Sequence, residues 1–382
     1  MMDFIRCNFY KRTYNQNFYE KTQYLNKTLF FVENMRIENY IGQNDWKAMS
    51  KKIDVIDKKI AFLLCKNSRL SNTAIAKALR LKREVVSYRI KKMFEQGFVK
   101  GFVTRINPRK LGLLTHFVYF KLKTPMQEKE MIDELVKCPE VTNLKNVGGR
   151  FDIFMEVTAK DVHEFNGFIK RMLDKYGPTV QEYVFLNNIA EYPMDVDLII
   201  EGDKKELGRL KALRETKGSS FHKELSQPRQ MHSLAELDAA DKSILHKIKM
   251  DARANIKDLA KELKSNAPAI TRRIQRLVKE GVIINFTSYP TIAMMGYQMY
   301  QVLFNFRNLD ESRFITFLNL HPNILWCHQL VGNWNYQVNI FAKSNAQFHD
   351  IINDLRQEFP ENIVSFDTVM VFNAFKSEQR IV

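Results

Sequence analysis

Residues 81–93 read Leu-Lys-Arg-Glu-Val-Val-Ser-Tyr-Arg-Ile-Lys-Lys-Met. Within this run, Val86, Ile90 and Met93 follow the spacing that places residues on one face of an α-helix. Gly97 comes shortly afterwards, and glycine adopts the left-handed conformation in which many helices end. The run therefore predicts an amphipathic helix whose polar side carries cations, a hydroxyl and an aromatic ring.

Two shorter helical patterns precede this run, and a strand follows it. Ile56, Ile60 and Leu63 have helical spacing, and Ser71 can cap a second helix. The inward residues of that second helix are Ile75, Ala76 and Leu79. The strand-like run Phe98-Val99-Lys100-Gly101-Phe102-Val103 follows the third helix. Three short helices and a β-hairpin make a winged helix-turn-helix, which is the fold expected here.

The same region is present twice in the chain. A shift of 184 positions aligns 53–102 with 237–286 without a gap. Identical pairs include Asp54/Asp238, Asp57/Asp241, Arg69/Arg253, Arg89/Arg273, Gly97/Gly281 and Phe102/Phe286. After a slip of one residue the register resumes with Pro139/Pro322, Gly149/Gly332 and Phe165/Phe348. Repetition over so long a period indicates duplication of a whole protein rather than a solenoid.

Positive charge is concentrated in the two repeated helical segments. The 382-residue chain has a net charge of +16. Residues 51–105 hold 15 Lys and Arg against 4 Asp and Glu, and residues 237–290 hold 11 against 6. The segments that follow, 106–195 and 291–382, are close to neutral. Because the charge alternates along the chain, the sequence predicts two polyanion-binding modules, each joined to a module with another task.

The outward faces of the two third helices are the candidate DNA-binding surfaces. In the first copy this face shows Arg83, Ser87, Tyr88, Lys91 and Lys92. In the second copy it shows Asn266, Thr271, Arg272, Gln275 and Arg276. Cations, amides and hydroxyls are the groups that contact phosphates and base edges in a major groove. A solvated helix face is the alternative, but the pattern occurs in both basic segments, which favours double-stranded DNA as the partner.

The near-neutral segments predict a second kind of domain. Residues 111–195 alternate strands and helices in the order βαββαβ, and residues 294–376 repeat that order, which is typical of a ferredoxin-like unit. The expected fold class is therefore α+β. The full division is an extension at 1–50, which could also be a product of start-site choice, winged helix-turn-helix domains at 51–108 and 235–290, ferredoxin-like domains at 111–195 and 294–376, and a linker at 196–234 with a short helix over 204–215.

The helical segments resemble the DNA-binding half of the Lrp/AsnC (feast/famine) transcription regulators. The resemblance rests on the run at 81–93, on Gln96-Gly97-Phe98-Val99 and Lys110-Leu111-Gly112 after it, and on the openings Ile53-Asp54-x-x-Asp57-x-x-Ile60 and Leu237-Asp238-x-x-Asp241-x-x-Ile244. It covers both copies. At the usual N-cap Ser of the recognition helix this sequence has Arg83 and Ala267, so capping must come from another residue or be weaker.

The resemblance implies that the ferredoxin-like domains are RAM domains, through which such regulators self-associate and bind an amino acid or other small-molecule effector. The family's effector element is similar to Gly149, Phe151 and Asp152. In the second copy Asn335 replaces the aspartate, which removes a charge that could hold an α-ammonium group. A simple hairpin turn is the alternative interpretation. Pairing of the RAM domains within one chain or between chains stays open.

Other classes of protein are disfavoured. The sequence has no Gly-rich phosphate loop, no G-x-S-x-G elbow and no H-E-x-x-H motif. The cysteines form no C-x-x-C pair, and no apolar stretch reaches the length of a membrane span. We therefore expect no catalytic residues, cofactor, metal or membrane contact, in a cytoplasmic, nucleoid-associated protein.

The sequence thus predicts a sequence-specific transcription regulator of archaeal type with unlike half-sites, in which the first copy dominates the electrostatic affinity. Two alternatives remain. One is an architectural, chromatin-type DNA binder with little sequence preference. The other is a siroheme-decarboxylase-like enzyme, because such enzymes resemble this two-copy architecture, although their His/Tyr-rich segment is not found here.

Overall fold

The computed structural model describes residues 53–212 and 234–381 of the chain. The predicted extension at 1–50 and the later part of the predicted linker lie outside these residues. The first copy opens with helices α1 (Val55–Lys66), α2 (Asn72–Leu79) and α3 (Arg83–Glu95) and strand β1 (Val99–Ile106), which we call the first head. Its core contains the side chains predicted to face inward, among them Ile60, Ile75, Val86, Ile90 and Met93.

A ferredoxin-like domain follows the first head. Its elements are β2 (Leu114–Leu122), α4 (Glu128–Leu135), β3 (Val141–Gly149), β4 (Ile153–Ala159), α5 (Val162–Tyr176) and β5 (Val180–Pro193). The strands are ordered β3-β4-β2-β5, and apolar side chains of both helices pack on one face of the sheet. The predicted βαββαβ order is confirmed.

Residues 196–212, which the sequence analysis placed in a linker, pack against the first head. They include helix α6 (Lys204–Ala212). Leu198, Ile199 and Leu210 are buried in the core of the first head. Burial of one such side chain contributes about 1.5–3 kcal/mol, which accounts for the folding of a segment that is charged on its other sides.

The second copy repeats these elements. The second head consists of α7 (Ala239–Ile248), α8 (Ile256–Glu262), α9 (Ala267–Lys279) and β6 (Ile283–Pro290). The second ferredoxin-like domain consists of β7 (Gln298–Phe306), α10 (Glu311–Leu320), β8 (Ile324–Val331), β9 (Tyr336–Ala342), α11 (Asn345–Glu358) and β10 (Ile363–Ser377).

The β-hairpin predicted in each copy is replaced by a ribbon formed between the copies. Each head supplies one strand, and β1 pairs with β6 in antiparallel orientation. After Ile106 the chain turns through Pro108–Leu111 and enters β2, so it does not return along β1. A lone strand edge leaves backbone N–H and C=O groups unpaired. The strand of the other copy pairs them.

The two ferredoxin-like sheets also join each other within the chain. Strand β5 pairs with β8, and β10 pairs with β3, which closes an eight-stranded barrel. Apolar side chains of both ferredoxin-like domains form a buried cluster in its interior, including Phe151, Phe154, Leu186, Leu303 and Trp334. The pairing that the sequence left open is therefore formed inside one chain.

Candidate nucleic-acid interface

Helices α3 and α9 each bury one face and expose the other. Val86, Ile90 and Met93 are buried in the first head, as predicted. Lys82 precedes α3 and provides no side-chain cap within the described part of the chain. In α9 the cap is Asn266, whose Oδ1 accepts from the backbone N–H of Ala269. The capping residue that the sequence left unassigned is therefore Asn266 in the second copy, one residue before Ala267. In the first copy, no described side chain caps α3.

The predicted contact residues of the first head line one side of α3. Tyr88 has 67% of its surface exposed, and Arg83 and Lys91 are also exposed. Lys91 Nζ lies 3.7 Å from a Glu95 carboxylate oxygen. Such an exposed pair contributes little to stability, so the Lys91 ammonium remains available to a phosphate. Ser87 and Lys92 are half-buried at the border of the same side.

The second head offers fewer available groups. Arg272 and Gln275 are exposed on α9. Asn266 is exposed, but its side-chain oxygen is used as the helix cap. Thr271 donates its hydroxyl to the carbonyl oxygen of Ala267 at 2.9 Å. Two of the five predicted residues are therefore exposed with no hydrogen bond or ion pair to another described residue.

A buried aspartate anchors each recognition helix to the first helix of its head. Asp57 and Asp241 are buried. Arg89 Nη1 donates to Asp57 Oδ1 at 2.8 Å, and Arg273 Nη1 donates to Asp241 Oδ1 at 2.9 Å. Leaving a buried carboxylate without its cation costs several kcal/mol, so these pairs fix the position of α3 and α9.

The copies differ at the second oxygen of this aspartate. Arg276 binds Asp241 Oδ2 and also lies 3.3 Å from Glu280. Lys92 stands at the equivalent position of the first copy. Among the described residues, Asp57 Oδ2 is buried and has no hydrogen-bond partner. The guanidinium of Arg276, which the sequence predicted to contact DNA, is thus engaged inside the second head.

Two arginines that the sequence analysis did not assign hold the heads together. Arg253 of the second head donates to the carbonyl oxygens of Ser68 and Leu70, and its guanidinium lies 4.4 Å from the ring centre of Phe102. Its repeat equivalent Arg69 lies 5.0 Å from the ring centre of Phe286. The arginine and the phenylalanine are each identical in the two copies, as Arg69/Arg253 and Phe102/Phe286. These identities were the signal in the sequence that could have pointed to the two contacts.

The ribbon relates the two heads by a pseudo-twofold axis. Val103 lies opposite Thr287, its own repeat equivalent. The backbone N–H of Asn107 donates to Val282 O, and that of Thr291 donates to Phe98 O, both at 2.8 Å. Equivalent groups thus make equivalent contacts across the axis. Within one chain, α3 and α9 are therefore held as a related pair.

The predicted effector element forms the turn between β3 and β4. Gly149 has a φ of 111°, and a Cβ there would lie 2.9 Å from Thr368 O. Phe151 is fully buried. Asp152 accepts from Lys121 Nζ at 3.0 Å and from the backbone N–H of Leu122 at 2.8 Å. Both carboxylate oxygens are therefore already bound to groups of the chain.

The second copy shows what this position does structurally. Asn335 accepts from the backbone N–H of Phe306 at 2.9 Å, and Phe306 is the equivalent of Leu122. Asp152 and Asn335 thus both tie the turn to the neighbouring strand. These contacts support the hairpin-turn interpretation, and the effector role of Gly149, Phe151 and Asp152 stays a prediction.

Ionisable side chains from the ribbon and both sheets meet beside the barrel interior. Arg105 of β1 pairs with Glu191 of β5. His328 is buried with its ring centre 4.9 Å from that of Phe117, and burial lowers the pKa of His328 to about 4. Burial raises the pKa of Glu156 to about 7. In the described ranges, no three His, Cys, Asp or Glu side chains are arranged to hold a metal ion.

Comparison with known families gives matches in both copies. The family described as winged helix-turn-helix DNA-binding matches residues 53–100 and 237–284. The family described as Lrp/AsnC ligand binding domain matches residues 115–185 and 306–381.

Known proteins of the same kind are similar to part of the chain. An HTH-type transcriptional regulator of Pyrococcus horikoshii is 34% identical over 125 residues, which cover 32% of this chain and 78% of the relative. The HTH-type transcriptional regulator LrpC of Bacillus subtilis is 28% identical over 119 residues, which cover 31% of this chain and 83% of the relative.

One solved structure has the same overall fold. The siroheme decarboxylase NirDL superimposes with a TM-score of 0.58 over 85% of this chain and 94% of its own, at 12% sequence identity. At that identity the similarity shows the fold alone. Among the helices described here, none is both long and apolar enough to cross a bilayer.

Proposed function

This chain belongs to the Lrp/AsnC family of DNA-binding transcription regulators, and on that premise we propose that a single chain reads an asymmetric operator through two unlike recognition helices. The observation that carries the proposal is the β1–β6 ribbon, which relates α3 and α9 by a pseudo-twofold axis inside one chain. Regulators that bind paired half-sites need two heads at a fixed separation. Here the duplicated chain supplies both.

Each head contributes a different set of groups to the major groove. Arg83, Tyr88 and Lys91 are exposed on α3. On α9 the corresponding side exposes Arg272 and Gln275. An arginine or a glutamine can bind a purine edge with two hydrogen bonds, whereas lysines at the groove border bind phosphates. The first head therefore supplies more of the electrostatic affinity, and the two half-sites differ in sequence.

Selection of binding sites from random duplex DNA tests this proposal. We expect a consensus with two dissimilar half-sites, bound by one chain per duplex in sedimentation analysis. A palindromic consensus bound by two chains would contradict it. Footprinting on genomic fragments addresses the architectural alternative, because a regulator protects a few sites and a packaging protein protects a continuous ladder.

The proposal assigns no catalytic step to this chain. The resemblance to NirDL concerns the fold, and titration with siroheme separates the two classes. We expect no stoichiometric change in the absorbance spectrum of siroheme when the protein is added. A saturable spectral change followed by loss of carboxyl groups from the tetrapyrrole would instead indicate an enzyme.

A further inference from the structure

The hydroxyl groups of Ser87 and Thr271 occupy equivalent positions but have opposite hydrogen-bond roles. Ser87 Oγ accepts a hydrogen bond from Asn72 Nδ2 at 2.8 Å. Thr271 Oγ1 donates to Ala267 O within its own helix at 2.9 Å. A hydroxyl has one hydrogen to donate. Accepting from Asn72 leaves that hydrogen of Ser87 for an outside acceptor, whereas Thr271 has already used its own.

The amide that orients Ser87 is itself held by the other head. Arg253 Nη1 donates to Asn72 Oδ1 at 3.3 Å, and this contact fixes which end of the amide faces Ser87. Two further hydrogen bonds from Arg253, to Ser68 O and Leu70 O, fix its guanidinium in place. A connected series of hydrogen bonds thus runs from the second head to the recognition helix of the first.

The second copy has no such series. Ile256 is the repeat equivalent of Asn72, and an isoleucine side chain has no hydrogen-bonding group. Arg69, the equivalent of Arg253, instead leaves its Nη1 buried and without a hydrogen-bond partner among the described residues. The two copies can therefore be compared directly, because their backbones are equivalent but only the first copy has the Arg253–Asn72–Ser87 hydrogen bonds.

We propose that Ser87 donates a hydrogen bond to an acceptor atom on DNA, and that Asn72 and Arg253 are positioning residues that orient the Ser87 hydroxyl. Because Arg253 belongs to the second head, the second head then influences how the first head binds DNA. The acceptor is a base-edge oxygen or nitrogen or a phosphate oxygen, and both accept from a hydroxyl in the same way. This inference rests on the proposed DNA-binding function.

The test measures affinity for a duplex selected by the unaltered protein. Ser87→Ala should weaken binding about 3- to 10-fold, the range expected for one hydrogen bond. Asn72→Asp should weaken it by at least as much, because a carboxylate still accepts from Arg253 but cannot donate to Ser87, whose hydrogen then turns inward. Thr271→Ala is the matched comparison and should weaken binding less than Ser87→Ala does, since the Thr271 hydroxyl already donates within its own helix.

Double variants separate positioning from general stability. In a Ser87→Ala background, Asn72→Ala should cause little further loss of affinity, and Arg253→Gln should cause a smaller loss than it causes in the unaltered protein. Arg69→Gln should have the same effect with or without Ser87. Thermal unfolding of each variant shows whether it is folded. Additive losses from Asn72→Ala and Ser87→Ala in folded proteins would overturn the proposal.

Modified DNA identifies the acceptor. If it lies on a base, removing that one acceptor, either by replacing a purine N7 with carbon or by replacing a guanine O6 with hydrogen, should abolish the difference between the unaltered protein and Ser87→Ala. If it lies on the backbone, one methylphosphonate should abolish that difference. Absence of DNA binding by the unaltered protein would refute the proposed function itself. Normal binding with a harmless Ser87→Ala would refute only the inference drawn from Ser87.

Discussion

Lys92 and Arg276 occupy the same position in the two copies but face the buried aspartate differently. An arginine has a rigid fork of donors, so Arg276 can bind Asp241 and Glu280 together. A lysine carries one compact ammonium that is strongly hydrated. In the first copy Asp57 Oδ2 stays without a partner among the described residues, and Lys92 remains at the border of the outward face.

Replacing Lys92 by arginine should move stability and DNA binding in opposite directions. Lys92→Arg should give Asp57 a second partner and raise the free energy of unfolding by about 1–3 kcal/mol, the cost of an unsatisfied buried group. The same change should weaken DNA binding, because the cation turns inward. Arg276→Lys is the control and should lower stability without weakening binding. Urea unfolding and DNA titration check both, and weaker folding of Lys92→Arg would contradict the explanation.

His328 should make the protein less stable at acidic pH. Its burial lowers its folded-state pKa from 6.5 to about 4, so between these values the unfolded chain binds more protons than the folded one. The stability from His328 is therefore complete above pH 6.5 and lost as the pH falls towards 4, with a maximum of about 3 kcal/mol.

Urea unfolding of His328→Gln at several pH values measures this pH-dependent contribution to the free energy of unfolding. The difference in unfolding free energy between the unaltered protein and the variant should shrink from pH 7 to pH 4.5. His349→Gln, at an exposed position of α11, makes the same substitution away from the barrel and shows the general effect of replacing histidine by glutamine. A His328→Gln difference that stays constant with pH would refute a lowered pKa for His328.

The helices were predictable because their signals are local. The apolar spacing of Val86, Ile90 and Met93, the Ser71 cap and the left-handed Gly97 all appear as the sequence indicates. The contacts of each outward side chain were less predictable, because they depend on residues that are distant in the sequence. Arg276 binds Asp241 of α7, which is 35 residues earlier in the sequence, and no local pattern indicates that contact.

The two recognition helices should contribute unequally to the salt dependence of DNA binding. Replacing Lys91 and Lys92 together by Gln should make the negative slope of log K against log salt less steep by about 1.8, since each phosphate contact contributes about 0.9 to its magnitude. Arg276→Gln should leave the slope nearly unchanged, because that cation is already paired. Titrations at several salt concentrations measure the slopes. A decrease of about 0.9 for Arg276→Gln, the same as that expected for each lysine of α3, would argue against unequal heads.

Strand β1 shows where sequence reasoning stops. Its apolar residues predicted a strand, which is confirmed, but a strand pattern contains no information about its partner. A hairpin within the copy was the nearest local solution. The actual partner is β6, and the pairing of Val103 with Thr287 follows from the symmetry of the duplication rather than from any local signal.

The whole molecule has the organisation of a dimer formed by one chain. The ribbon and the two joined edges of the barrel bring the copies together at three places. In a dimer of identical chains, the two heads would carry the same residue at every equivalent position and make the same contacts. Duplication removes that restriction, so that Ser87 can act differently from Thr271 and Lys92 differently from Arg276. Unlike half-sites are the expected consequence for DNA recognition.

If these three interfaces hold the copies together, the covalent connection between them is dispensable for assembly. A protease site inserted between residues 213 and 233 allows the connection to be cut after folding. The two pieces should co-elute in gel filtration and bind DNA with the affinity of the uncut protein. Because association is then bimolecular, the melting temperature of the cut form should fall on dilution, whereas that of the uncut form should not. Separation of the pieces into two independent species would mean that the ribbon and barrel edges are too weak to unite the heads.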